Sequence, residues 1–261
     1  GELRTMDLSH FTTVEQMEAE TAKLKEMAAL AGAETWEDRK RAQTPQCQFG
    51  EGGICCRICS MGPCRVTPKS PRGICGADAA AIAGRNYLRF TAGGCAAHSD
   101  HGREICHTLS ATRADGAYKV TDVDKLLRLA KEWNIETEGR DIYDIAHDVA
   151  ETGLMDYGKP YGFIRFLDRA IDERRKVWEE TGIAPRAVDR EIATAMHMTH
   201  MGNTADASAL VNQSLRTGLA DGWGGSMMGT EFTDILFGTP MPNDTEGDLG
   251  VLERDMVNII L

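Results

Sequence analysis

Apolar residues recur at three- and four-residue intervals over most of this chain, and that spacing predicts helices. Thr12 or Thr13 can cap a first helix with apolar positions at Met17, Leu24, Met27 and Leu30, closed by Gly32. A short helix over 36–42 follows and stops at Pro45. Asp78 caps a long helical stretch reaching about residue 111, which Gly93-Gly94 is expected to break or bend into two helices, with Gly102 a further weak point. Thr121 starts another helix, with Leu126, Leu127 and Ala130 on its buried side. Asp141 opens one through Ile142, Ile145 and Val149 that ends near Gly153. Residues 163–180 read as a single helix carrying Phe166, Leu167, Ala170, Ile171, Val177 and Trp178, stopped by Gly182. Residues 187–201 and 205–220 read similarly, separated by Gly202-Asn203. Strand-like alternation is nearly absent until the final GVLERDMVNIIL, whose last residues resemble a buried strand with nothing after it to pair with. The pattern predicts an all-α fold with one irregular cysteine-rich loop. Its expected segments are N-terminal helices over 1–44, the loop over 45–76, a helical domain over 77–250, and over 251–261 the start of a following domain, cut short here.

Composition narrows the function classes. With 261 residues, 42% hydrophobic and 26% charged, the chain has ample material for a core. A net charge of −11 argues against nucleic acid as a partner, since phosphates demand a basic face. No run of about 18 apolar residues occurs, so no transmembrane segment is expected. The chain opens on Gly1 rather than Met, which leaves room for trimming at its start, and no signal peptide is visible in what remains; a reducing cytoplasm, where thiolates stay free for iron, is the simplest expected home.

The chemistry is concentrated between Cys47 and Cys75, where six of the eight cysteines fall. Cys56, Cys59, Cys64 and Cys75 are spaced C-x2-C-x4-C-x10-C. Four thiolates on a tight loop are what an iron–sulfur cluster needs, and Gly62-Pro63 and the run from Pro68 to Gly73 supply the turns. Side chains of consecutive residues diverge, so Cys55 and Cys56 serve different sites more readily than one. Assigning Cys56 to the set of four leaves Cys55 with Cys47, half of a four-thiolate site, and a two-fold axis would supply the other half from a second copy. Arg57 and Arg65 place cations near the thiolates. A disulfide framework fits poorly with a chain that has a real core and no secretory segment. Zinc would more commonly show two short C-x2-C knuckles, and only one is present.

A second feature is the series His98, His101, Glu104 and His107, spaced by three on the long predicted helix. Neighbours three apart lie close on a helix, and imidazole can both take and give a proton near neutrality. The set rotates around the helix axis, and polar side chains bonded to water or neighbours account for it as well. H-x-x-H is a poor zinc pair. Cys95 and Cys106, in the same helical region, lack ligand spacing and read as buried thiols. His197 and His200, with Met196, Met198 and Met201, read as helix packing.

The segments CQFGEGGICCRICSMGPCR, GICGADAAAIAGRN, AAHSDHG and TEFTDILFGTP resemble the N-terminal helical domain of anaerobic nickel–iron carbon monoxide dehydrogenase, from about Pro45 to the last residue. The resemblance implies a fragment of a larger multidomain α/β subunit. It implies a 4Fe–4S cluster on Cys56, Cys59, Cys64 and Cys75, and a subunit-bridging cluster, 4Fe–4S or 2Fe–2S, on Cys47 and Cys55 of a homodimer. The implied reaction oxidises CO with water to CO2, protons and electrons at a nickel–iron–sulfur centre whose ligands lie outside this chain. His98 matches the acid–base histidine beside that centre, His101 and His107 match a proton relay in which Glu104 replaces a histidine, and Asp221 matches an aspartate near the site. The implied partners are the remainder of the catalytic subunit and a ferredoxin-like electron acceptor, with an acetyl-CoA synthase left open. Two alternatives stand beside this. One is a stand-alone iron–sulfur electron-transfer module. The other is a hybrid-cluster hydroxylamine reductase, whose cysteine spacing differs and which lacks the adjacent pair.

Overall fold

The computed structural model describes residues 14–53 and 55–241. They fall into two compact units: the described residues up to Cys47, and Gln48–Met241. The first unit holds α1 (Val14–Leu30) and α2 (Trp36–Ala42). A capping box starts α2: the Thr35 backbone N–H donates to Asp38 Oδ2 at 2.9 Å, satisfying a group that the helix leaves orphaned. The caps at Thr12 or Thr13 and the strand expected near residue 257 lie outside the described residues.

The second unit is built around one helix. After α3 (Gln48–Glu51) and a two-stranded antiparallel ribbon of β1 (Cys55–Cys56) and β2 (Cys64–Arg65), the chain enters α4, Ala79–Ser110, 32 residues long. The Asp78 side chain caps it by accepting from Ala81 N at 2.9 Å. The expected break at Gly93-Gly94 does not occur. The buried residues of α4 are Ala81, Arg85, Leu88, Ala92, Cys95, Ser99, Gly102, Cys106 and Leu109, alternating steps of four and three, with Ile82 and Gly84 beside them. Gly93 and Gly94 lie on the opposite, exposed face. Two exposed glycines cost the helix about 2 kcal/mol of propensity, and eight turns of buried stripe outweigh that.

The remaining helices wrap this axis. They are α5 (Val123–Glu132), α6 (Ile142–Gly158), α7 (Asp172–Glu180), α8 (Val188–Met198), α9 (Ala207–Ala220) and α10 (Met227–Phe237), and α4 packs on α6, α8, α9 and α10. Asp122, Asp141 and Asp206 cap α5, α6 and α9 with their carboxylates. Contrary to expectation, α6 runs through Gly153. A Cβ there would come within 2.9 Å of the Phe232 ring and 3.0 Å of Met228 Sδ, so this glycine admits α10 rather than ending α6. Residues 163–180 are likewise not one helix. A 3-10 turn over Arg165–Arg169 buries Phe166 and Leu167, extended backbone at Ile171 redirects the chain, and α7 then buries none of its residues. Among the described residues no helix is long and apolar enough to cross a membrane.

One buried charge fixes the start of α8. Glu191 is fully buried and receives Arg186 Nε at 2.8 Å, Arg186 Nη2 at 2.7 Å and Gln213 Nε2 at 2.9 Å. Burial alone would raise its pKa, but the Arg186 and Gln213 hydrogen bonds prevail and hold it below the ordinary 4.5. A depressed carboxyl pKa stabilises the fold above the ordinary carboxyl range and loses that contribution as the pH falls through the folded value. Glu191→Gln should therefore cost about 3 kcal/mol in urea denaturation at pH 7, with the gap to the parent narrowing below pH ~4.5. The glycines of α4 give an opposed pair. Gly93→Ala meets no atom within 4 Å and should stabilise by about 0.5–1 kcal/mol. Gly102→Ala would press on the Tyr157 hydroxyl and on Gly225 O, 2.9 Å away, and should destabilise by about 1–3 kcal/mol in the same assay.

Candidate functional site

Cys56, Cys59, Cys64 and Cys75 line a single recess at the entrance to α4. The ribbon brings the first and third together, since Cys56 and Cys64 are cross-strand partners. The turn between them needs glycine: a Cβ at Gly62 would lie 3.0 Å from Cys64 N and 3.1 Å from Cys56 O. A second turn carries the chain past Gly73, where a Cβ would lie 3.5 Å from Cys64 Sγ, and delivers Cys75 three residues ahead of the α4 cap. Two donors already address sulfur. Ile74 N–H points to Cys64 Sγ at 3.5 Å, and the Arg85 guanidinium to Cys75 Sγ at 3.5 Å. Arg85 is only 2% exposed, and its other nitrogens donate to Thr204 O at 2.9 and 2.7 Å. The Ala77 backbone N–H and then Arg85 lower the Cys75 thiol from 9.0 to about 7. Among the described residues no three His, Cys, Asp or Glu side chains converge tightly enough to hold a single metal ion.

Cys55 precedes Cys56 on β1 and does not line the recess, as the alternation of a strand requires. Cys47 belongs to the first unit and is exposed. Cys95 and Cys106 are fully buried in the α4 stripe, as their lack of ligand spacing led us to expect, and burial pushes both thiols up to about 12.

The second constellation sits farther along α4. His98 Nδ1 lies 2.6 Å from Asp221 Oδ1 and 3.2 Å from Ser226 Oγ. Both partners come from a π-helical turn, Asp221–Ser226, inserted between α9 and α10. Such a widened turn re-aims side chains that a regular helix would point elsewhere. It presses against α4 at Gly225, where a Cβ would come within 3.0–3.1 Å of the His98 backbone and Cβ. His98, His101, Ser226, Thr230 and Asp234 line an open cavity of about 320 Å³, while His107 is exposed and outside it. The structure thus brings Asp221 to His98 and places His101 on the same cavity. Sequence reasoning missed Arg85, Ser226 and Asp234. Arg85 carried a signal: an arginine within the apolar stripe of a capped helix must have a buried partner.

The fold and its donors define a class: a helical protein that gathers four thiols at the entrance of its longest helix and pairs a histidine with an aspartate on the same helix. Residues 54–261 match the Prismane/CO dehydrogenase family, and the chain belongs to that family. It is similar to carbon monoxide dehydrogenase 1 of Methanosarcina mazei, 47% identical over 244 residues, covering 92% of this chain and 39% of the relative. The beta subunit of the Moorella thermoacetica carbon monoxide dehydrogenase/acetyl-CoA synthase is 40% identical over 86% of this chain and 34% of its own length. Among solved structures, a nickel-free carbon monoxide dehydrogenase from Thermococcus sp. AM4 superposes with a TM-score of 0.79 at 45% identity, covering 97% of this chain and 40% of that one. The chain therefore spans about two fifths of the relatives it matches, and their names disfavour the hydroxylamine-reductase alternative.

The His98 geometry makes a direct prediction. A carboxylate at 2.6 Å calls for a proton on Nδ1, leaving Nε2 as the basic nitrogen of the neutral ring. Nitrogen-15 NMR should show His98 as the Nδ1–H tautomer, and Asp221→Ala should move most of the population to Nε2–H.

Proposed function

We propose that this chain is the helical, electron-wiring and dimer-forming part of a carbon monoxide dehydrogenase, working within a longer catalytic subunit. The observation that carries the reading is the recess at α4, which four thiols line and where an N–H and a guanidinium are already aimed at sulfur. That arrangement fits a 4Fe–4S cluster on Cys56, Cys59, Cys64 and Cys75, because cluster and thiolate sulfurs carry negative charge and accept hydrogen bonds. Thiols spread around a recess suit a multi-atom centre better than one zinc ion, which draws its sulfurs to about 2.3 Å. Cys47 and Cys55 would hold a second cluster, 4Fe–4S or 2Fe–2S, with the same two cysteines of a twin.

In the whole enzyme CO and water become CO2, two protons and two electrons, reversibly. When bound, the nickel–iron–sulfur centre supplies the site where CO meets hydroxide, and its ligands lie outside this chain. The residues here serve that chemistry from the side. His98 takes a proton at Nε2 while Asp221 steadies the ring through Nδ1. His101 lies one step farther on the same cavity, and Glu104 and His107 follow along α4. Clusters held by Cys56, Cys59, Cys64 and Cys75 and by Cys47 and Cys55 would supply the path for electrons towards a ferredoxin-like acceptor. The kinship with a carbon monoxide dehydrogenase/acetyl-CoA synthase subunit supports an acetyl-CoA synthase as a further partner.

Iron and sulfide analysis after anaerobic purification tests the reading. It should give about six irons per chain for two 4Fe–4S clusters with one shared, or about five if the shared one is 2Fe–2S. Cys56→Ser should remove about four of them, and the pair Cys47→Ser and Cys55→Ser should remove the shared fraction and yield monomers in sedimentation. Zinc in place of iron would sink the proposal. Absence of CO oxidation by the longer native chain would leave the stand-alone electron-transfer module instead.

A further inference from the structure

Arg85 is a buried charge without a counter-charge. It sits in the buried stripe of α4 and forms no ion pair among the described residues, whereas Arg103, Arg140, Arg169 and Arg186 each hold a carboxylate. Its Nε and Nη2 donate to one backbone carbonyl, Thr204 O, at 2.9 and 2.7 Å. The remaining nitrogen, Nη1, is left for Cys75 Sγ at 3.5 Å. Among the described residues that line the cysteine recess Arg85 is the one cation, and apart from the four thiols the rest of the lining is glycine or apolar side chain. Val66, Ala77 and Ile82 pack against Cys56 and Cys75, so water screens this charge little. A carbonyl dipole satisfies donors without cancelling a charge, and a buried cation that meets no anion is costly.

Resting on the reading that Cys56, Cys59, Cys64 and Cys75 hold a 4Fe–4S cluster, we propose that Arg85 is the built-in counter-ion of that cluster and raises its reduction potential. Reduction adds one electron, with no proton, to a centre that thiolates and sulfides already make negative. A guanidinium is permanently positive, and this one is fixed by Thr204 O and by the register of α4. It therefore favours the more negative, reduced state without having to reorganise. Net charge and hydrogen bonds to sulfur are two of the protein's levers on such potentials, and Arg85 supplies both at Cys75. The Ile74 N–H at Cys64 Sγ supplies the hydrogen bond alone. A purely structural arginine, tying the turn between α8 and α9 to α4 through Thr204 O, would account for Nε and Nη2 but not for the direction of Nη1.

The test is a redox titration of the anaerobically purified chain followed by EPR, in which the recess cluster is the signal that Cys56→Ser removes. At the parent's midpoint, Arg85→Gln should show a ratio of reduced to oxidised cluster about ten-fold lower, which is a midpoint ~59 mV more negative for one electron. Arg85→Lys keeps the charge and should recover most of that loss. Both variants give up the paired bonds to Thr204 O, so a merely structural arginine would leave their midpoints alike. Equal midpoints for the parent and Arg85→Gln, or for Arg85→Lys and Arg85→Gln, would overturn the proposal. A second measurement needs no substitution. With nitrogen-15 in the arginine guanidinium groups, pulsed EPR of the reduced parent should show a nitrogen-15 coupling to the recess cluster that unlabelled protein lacks. Absence of that coupling would overturn the proposal even where the variants fail to fold. A colourless, iron-free parent would defeat the cluster reading and this proposal with it, whereas a coloured parent with any of the failing results defeats the proposal alone.

Discussion

The continuity of α4 is the constraint on which both constellations depend. Arg85 reaches Cys75 from its second turn, and His98 meets Asp221 thirteen residues later, about 20 Å along the axis. Gly93 and Gly94 lie between them, at the point where a helix is weakest. A bend there would change the azimuth of His98 relative to Arg85 and separate at least one from its partners. The buried stripe opposite the glycines prevents this by holding Leu88 and Ala92 against Ala195 and Leu210 on one side and Cys95 within the main core on the other. Packing of the far face thus decides a geometry that local propensity would leave open.

Close approach is the second device, and it is achieved by removing side chains. Gly102 and Gly225 let α4 and the π turn meet almost backbone to backbone, and at Gly84 a Cβ would come within 3.3 Å of the Leu210 side chain. The wide turn adds a residue to what is otherwise one helical path from α9 into α10, and the gain is that Asp221 and Ser226 both face Nδ1 of one imidazole. A regular helix spaces residues five apart by 500°, or 140° around the axis, so the two could not share that target without the wider turn.

Much of this was legible in the residues, for physical reasons that also explain what was not. Asp78 and Asp141 announced their helices because a carboxylate cap is a local interaction, readable without a fold. That Cys56, Cys59, Cys64 and Cys75 share a recess was legible because residues close in sequence on a turning loop can meet in space. Glycines misled: at Gly93-Gly94 and Gly153 they read as stops, yet one pair sits harmlessly on an exposed face and the other makes room for Phe232. Whether a glycine ends a helix or admits a neighbour depends on what packs there, which is non-local. The break at Ile171 escaped for the converse reason, since the apolar spacing continues while burial stops after Leu167. Ser226 and Asp234 were invisible because the π turn that aims the first has no spacing signature of its own.

Cys75, Cys95 and Cys106 show how far environment alone can sort one residue type. Burial in the α4 stripe, with the carboxylates of Asp221, Asp189 and Glu191 adding to the effect at Cys95, pushes the thiols of Cys95 and Cys106 to about 12 and keeps them protonated and inert. At Cys75 a backbone N–H and a cation act the other way, to about 7, where thiolate is abundant near neutrality. These opposed fields, set by the fold alone, give Cys75 thiolate character and deny it to Cys95 and Cys106. Arg85 is pinned by Thr204 O, and its reach to Cys75 is fixed by the register of α4. The helix that carries the histidine pair therefore also prepares a thiol at its entrance.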